Sequence, residues 1–132
     1  MLKSKTIESI DKKVVISSLW IVVMLNMIFA DILSLMIPGA LTELMTGNVE
    51  GVTLSAELML VAAIILEIPI MMVLLSRLLK YKTNRILNIV ASLITIVFVI
   101  GGGSLDFHYI FLATVEVICM ISIIIIALKW RE

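Results

Sequence analysis

Four runs of about 20 nearly uncharged residues, separated by short polar links, leave this chain little choice of fold. A helix rising 1.5 Å per residue needs about 20 residues to cross about 30 Å of hydrocarbon, and inside that layer only a helix or a closed barrel satisfies its own backbone. The runs are Val14 to Met36, Glu57 to Leu79, Ile86 to Leu105 and Tyr109 to Leu128. They take up most of 132 residues, 62% of which are hydrophobic, and they leave no room for a soluble catalytic domain. The expectation is therefore one integral membrane domain over residues 1–132: an all-α, polytopic, antiparallel bundle of four transmembrane helices with the lipid bilayer as its solvent.

Breakers and polar residues set the helix ends. The first run stops at Pro38-Gly39, a strong terminating pair. Pro69 falls inside the second run, where a membrane helix tolerates it as a kink, so one helix is predicted there. The third run has only 15 residues from Ile86 to Ile100, about 22 Å at helical rise, and must absorb Gly101-Gly102-Gly103 or thin the bilayer. Between the first two spans, Leu41, Leu44 and Met45 recur at helical spacing before Thr46-Gly47-Asn48, which predicts a short interfacial helix with a glycine stop. The N-terminal lysines precede a run too long for a signal peptide and without a small-residue cleavage site, so the first helix is expected to be retained.

The ten basic residues fall on one side of the proposed membrane. Lys3, Lys5, Lys12 and Lys13 precede the first span; Arg77, Lys80, Lys82 and Arg85 bracket the second link; Lys129 and Arg131 follow the fourth. The other two links contain Glu43, Glu50 and Asp106 instead. Basic residues stay cytoplasmic, so both termini are expected inside (N-in/C-in) in a cytoplasmic (inner) membrane, a result that requires an even number of spans. Trp130, Tyr81 and Tyr109 fit interfacial belts.

Three carboxylates lie within the spans, Asp31, Glu67 and Glu116, with no intramembrane Lys or Arg to pair with. A charge at mid-helix costs roughly 2.5–3.5 kcal/mol on insertion scales, so each must face the bundle or water, bind a proton, or snorkel. Counting from the outer helix ends puts Asp31 about 7 Å deep, Glu116 about 10 Å, Glu67 about 14 Å and Asn26 about 15 Å. Three helices thus contribute to one depth band, the arrangement an outward-opening acidic pocket for a proton, a cation or an amine requires, with His108 and Glu57 near its mouth. The bland alternative is that such groups serve as interhelical hydrogen bonds; it favours a structural role for Asn26 and Asp31, whereas Glu67 and Glu116 are costlier to place and point to function. Asp106 reads as an N-cap and Glu57 as a first-turn charge.

Other chemistries find no support. Cys119 is the sole cysteine, His108 the sole histidine, and the methionines read as packing, so no metal site, cofactor or redox pair is expected. There is no nucleophile-base pair and no phosphate or nucleotide motif, so neither an enzyme nor a nucleic-acid binder is expected, and there are no catalytic candidates.

Leu19-Trp20, Ala30-Asp31-Ile32-Leu33-Ser34-Leu35, Pro38-Gly39, Ile68-Pro69, Leu75-Ser76-Arg77, Asn84-Arg85 with Asn88-Ile89, and Tyr109 with Phe111 and Glu116 resemble the pattern of a family of small bacterial four-helix membrane proteins known only as a domain of unknown function. The resemblance covers about residues 15 to 130 and implies the same four-span topology and a bacterial cytoplasmic membrane, without implying an activity. It departs from the family in the glycine run before the last helix. Small multidrug exporters place a glutamate in the first helix, and quinone-linked thiol oxidoreductases need cysteine pairs; neither pattern is present. The leading expectation is a binding or transport-type protein, homo-oligomeric, with Asp31, Glu67, Glu116 and Asn26 in a protonatable pocket. The competing one is a structural or accessory protein with no small-molecule site.

Overall fold

The computed structural model describes residues 11–130; Lys3, Lys5 and Arg131, used above to orient the chain, lie outside the described residues. Its elements in order are α1 (Lys12–Leu35), α2 (Ala40–Met45), β1 (Asn48–Val49), β2 (Val52–Thr53), α3 (Ala56–Leu78), α4 (Tyr81–Gly101) and α5 (Phe107–Lys129). The helices α1, α3, α4 and α5 are long and apolar enough to cross a membrane, so the chain is a multi-pass membrane protein in a bilayer environment.

Local chemistry accounts for most of the boundaries. Asp11 caps α1 by accepting from the Lys13 backbone N–H at 2.9 Å, and Ser55 caps α3 by accepting from Leu58 N–H at 3.1 Å, each satisfying one of the free first-turn donors. Asp106 stands at the N-cap of α5 but makes no capping bond from its side chain; its carboxylate accepts from Ser104 Oγ at 3.0 Å instead. Pro69 lies within an unbroken α3 and is buried.

Helix α4 corrects the expected third span. It begins at Tyr81, not at Ile86, and stops at Gly101. Its 21 residues give about 31 Å, enough to cross the hydrocarbon without Gly102 and Gly103. The extra turn is polar, and it is helical because Asn84 and Arg85 find partners inside the bundle. The link after α1 contains the expected short helix, α2, followed by a two-residue hairpin that was not expected. Asn48 pairs with Thr53 and Val49 with Val52, and the turn residues Glu50 and Gly51 both have positive φ, 50° and 81°, the signature of a type I′ turn. Glu50, a non-glycine residue in that region, is held by its N–H donating to Glu43 Oε1 at 3.0 Å.

The four long helices form a ring in which α1 packs on α3 and α5, and α4 on α3 and α5, with α3 against α4 the loosest seam. Helix α1 turns Ile16, Trp20, Val23 and Met27 inward, a spacing of one face. They meet Met72, Ala91, Val99, Met120 and Ile123 from the other helices. Phe29, Ile64, Val97, Phe111 and Ile118 are each more than half exposed, as a lipid-facing surface requires. Lipid is as apolar as such side chains, so the bundle is held by close packing and interhelical hydrogen bonds rather than by hydrophobic burial. Among the described residues, Lys12, Lys13, Arg77, Lys80, Lys82, Arg85 and Lys129 gather at one end of the ring, where α1 and α4 begin and α3 and α5 finish.

Candidate functional site

The interior of the bundle carries a polar stripe. Asn84, Asn88, Ser92 and Thr95 are all buried on one face of α4, at i, i+4, i+8 and i+11, a spacing that a 3.6-residue period places in one stripe. Toward the basic end the stripe is fully bonded. Trp20 Nε1 donates to Asn88 Oδ1 at 2.8 Å, Ser76 Oγ donates to the same oxygen at 3.1 Å, Asn84 Nδ2 donates to Ser76 O at 2.7 Å, and Asn88 Nδ2 donates to Asn84 O at 2.8 Å. Beside it Ser17 Oγ donates to Val73 O at 2.7 Å.

Toward the other end the stripe changes character. The buried oxygens Ser92 Oγ, Thr95 Oγ1 and Glu116 Oε1 have no hydrogen-bond partner among the described residues. Two pairings fix their relative levels: Arg85 Nε donates to Ala127 O at 2.6 Å, and Gly103 lies against the Tyr109 ring. Both place Ile96 level with Glu116, about 16 Å along the bundle from Arg85. The Thr95 backbone therefore stands near the level of the Glu116 backbone, and Ser92 one turn closer to the basic end. Glu116 is 1% exposed, a position in which an ionisable group ordinarily has bonded partners.

Glu116 lines a cavity of about 240 Å³ together with Asp31, Met27, Ala30, Tyr109 and Gly102. Asp31 stands eleven residues beyond Trp20, one turn nearer the non-basic end than Glu116. Near the cavity, Tyr109 Oη donates to Val99 O at 2.8 Å. His108 Nε2 lies 3.0 Å from Ser34 Oγ, tying α5 to α1. Hence Asp31 and Glu116 are brought together, from α1 and α5, with a phenol beside them. No group of three or more His, Cys, Asp or Glu side chains arranged to hold a metal ion occurs among the described residues.

Glu67 and Asn26 share the depth band but not the cavity. Asn26 Nδ2 donates to Val22 O of its own helix at 2.8 Å, one position round from the inward Met27. Glu67 is exposed and lies in an apolar crevice of about 360 Å³ at the loose α3–α4 seam, with Ile64, Met71, Leu87, Val90 and Ile94. The inward face of α3 is Pro69, Met72 and Ser76; Glu67 precedes Met72 by five residues, roughly 140° round the helix. The four-residue convergence expected from depth is thus reduced to two acids. Glu57 is exposed in the first turn of α3 and does not line the cavity.

Depth counting of the acids passed over the α4 stripe, Trp20, Ser76 and Tyr109. The spacing of Asn84, Asn88, Ser92 and Thr95 within an otherwise apolar span was the available signal, since polar side chains repeating at helical period mark the face turned from lipid.

The family of unknown function DUF6326 matches residues 5–132, so the chain belongs to that family, in agreement with the resemblance drawn from its motifs. No curated protein and no solved structure matches the chain.

Proposed function

We propose that this DUF6326 member is a non-enzymatic, cofactor-free binding or transport-type protein of a bacterial cytoplasmic membrane, with both termini inside. In this reading the cavity lined by all four long helices opens outward and exchanges a proton, a small cation or an amine at Glu116, with Asp31 at its entrance. The observation that carries it is Glu116, 1% exposed, with Oε1 unpartnered among the described residues, in the wall of a cavity that Asp31 also lines. A carboxyl serving only as an interhelical bond would have its acceptor capacity used by a neighbour. One left open toward a cavity has capacity for a ligand. Desolvation inside the bundle strengthens the attraction of a cation to such a group.

The test compares thermal unfolding of wild type and Glu116→Gln, purified in one detergent, across a pH series and against a panel of monovalent cations, divalent cations and alkylamines. The expected result is a midpoint that responds to pH or to one ligand class in wild type and does not respond in the variant. An identical response in both proteins would sink the proposal.

A second reading is favoured by Glu67 alone. An exposed carboxylate at mid-helix in an apolar crevice fits a site covered by a second copy of the chain, as in a structural or accessory homo-oligomer. Glu67→Leu should then shift the protein toward the monomer on native mass spectrometry; an unchanged mass distribution would count against it.

A further inference from the structure

At the basic end, Lys13, Lys80, Tyr81, Lys82, Thr83 and Trp130 line a cavity of about 570 Å³. Its lysines come from both sides: Lys13 from the first turn of α1, Lys80 and Lys82 from the start of α4. No acidic side chain among the described residues lines it. Among the described residues, none of the three ammonium groups takes part in the hydrogen bonds.

The neighbouring arginines are used differently. Arg77 Nε donates to Ser17 Oγ at 3.2 Å, and Arg85 donates to Ala127 O at 2.6 Å and Leu128 O at 3.1 Å. The guanidiniums therefore fasten helices together, and the lysines are left on the cavity wall. The first turn of α4 adds to the positive field, because it has no acidic residue and its N-cap Lys80 makes no side-chain capping bond, so the amides of that turn and the Thr83 hydroxyl remain available to an anion. Trp130, which also lines the cavity, is 8% exposed, and its indole N–H donates to no described residue.

We infer that this cavity is a binding site for the phosphodiester headgroup of an anionic phospholipid. Lysine ammoniums from two helices, free helix-start amides, a hydroxyl and an indole N–H are the donors that a phosphate diester and a glycerol headgroup require. The source is a lipid rather than a free anion because of the surroundings. Val14, Leu78, Ile86 and Leu128 lie within the two turns of the four long helices nearest the basic end and are exposed, so acyl chains attached to a headgroup in the cavity have an apolar surface to lie on. The inference is independent of the acidic cavity, which lies near the opposite end of the bundle.

The full chain, purified and delipidated in a neutral detergent, is titrated with phosphatidylglycerol or phosphatidylcholine and examined by native mass spectrometry. Phosphatidylglycerol is expected to be retained over phosphatidylcholine. The combined Lys13→Gln, Lys80→Gln, Lys82→Gln variant is expected to lose retention by on the order of fivefold per lysine removed. Replacement of the same three by Arg should restore it, and Lys129→Gln, which removes a lysine outside the cavity, should leave it unchanged. Equal retention of the two lipids, or an undiminished preference in the Gln variant, overturns the site. A parallel arm adds inorganic phosphate: displacement of phosphatidylglycerol by phosphate at matched concentration would overturn the lipid in favour of a free anion. A melting curve of the Gln variant that matches wild type in the absence of lipid separates lost binding from lost fold.

Discussion

The indole N–H of Trp20 reaches across the middle of the bundle to Asn88 Oδ1, a bond of 2.8 Å between α1 and α4, two helices that stand opposite each other in the ring with no close approach of their backbones. The same oxygen accepts from Ser76 of α3 at 3.1 Å, so one amide joins three helices. In lipid, where burial of apolar surface gives no net drive to assembly, such a bond also selects the rotation at which α4 presents its polar face inward.

Trp20→Phe removes the donor and keeps much of the ring volume. It should cost about 1 kcal/mol in unfolding free energy, the scale of interhelical hydrogen bonds in membranes. Asn88→Leu strands the donors on Trp20 and Ser76 together and should cost more, about 2–3 kcal/mol. Unfolding in a denaturing detergent series measures both, and equal small losses would mean that the network contributes little.

Arg85 closes the opposite wall by capping the last carbonyls of α5 and lying over Tyr81, 5.4 Å from the ring centroid, while Tyr81 Oη donates to Trp130 O at 2.6 Å. A planar guanidinium serves these partners at once, and a single ammonium does not. Arg85→Lys is therefore expected to behave like a loss, destabilising by about 1 kcal/mol and speeding amide exchange over the last turn of α5. Wild-type exchange there would show that charge alone suffices.

Gly103 has room for no side chain, because a Cβ would collide with the Tyr109 ring. Gly103→Ala should push Tyr109 from its bond to Val99 O, at 2.8 Å, and cost about 1 kcal/mol, the low end of overpacking. In a Tyr109→Ala background the same change should be close to neutral, and a double-mutant cycle measures the coupling. Additive effects would rule out the contact as the cause.

With Cys119 replaced by Ser, single cysteines at Thr83→Cys and Ser104→Cys test the proposed orientation. A membrane-impermeant maleimide added to intact cells should label the Ser104→Cys protein and spare the Thr83→Cys protein until the cells are opened. The reverse pattern would invert the topology drawn from the basic residues.

Much of the fold was legible in the residues themselves. Four apolar runs of sufficient length, the pair Pro38-Gly39, and the segregation of Lys and Arg state how many helices there are and which ends lie together, because the cost of a charge or an open backbone in hydrocarbon acts on each segment separately. That Asp31 and Glu116 lie at neighbouring levels, close enough to line one cavity, followed from counting residues at a constant rise. The start of α4 at Tyr81 was not legible, since Asn84 and Arg85 read as surface residues until Ser76, Ala127 and Leu128 supply their partners. Nor was the difference between Glu116, turned into the cavity, and Glu67, turned to a crevice on the outside. Position along a helix is a property of the chain alone, but rotation about its axis is decided by side chains from other helices, here Trp20 and Ser76 bonding Asn88. Hydropathy determined where the helices cross, and only the packed bundle decided which of their polar groups face one another.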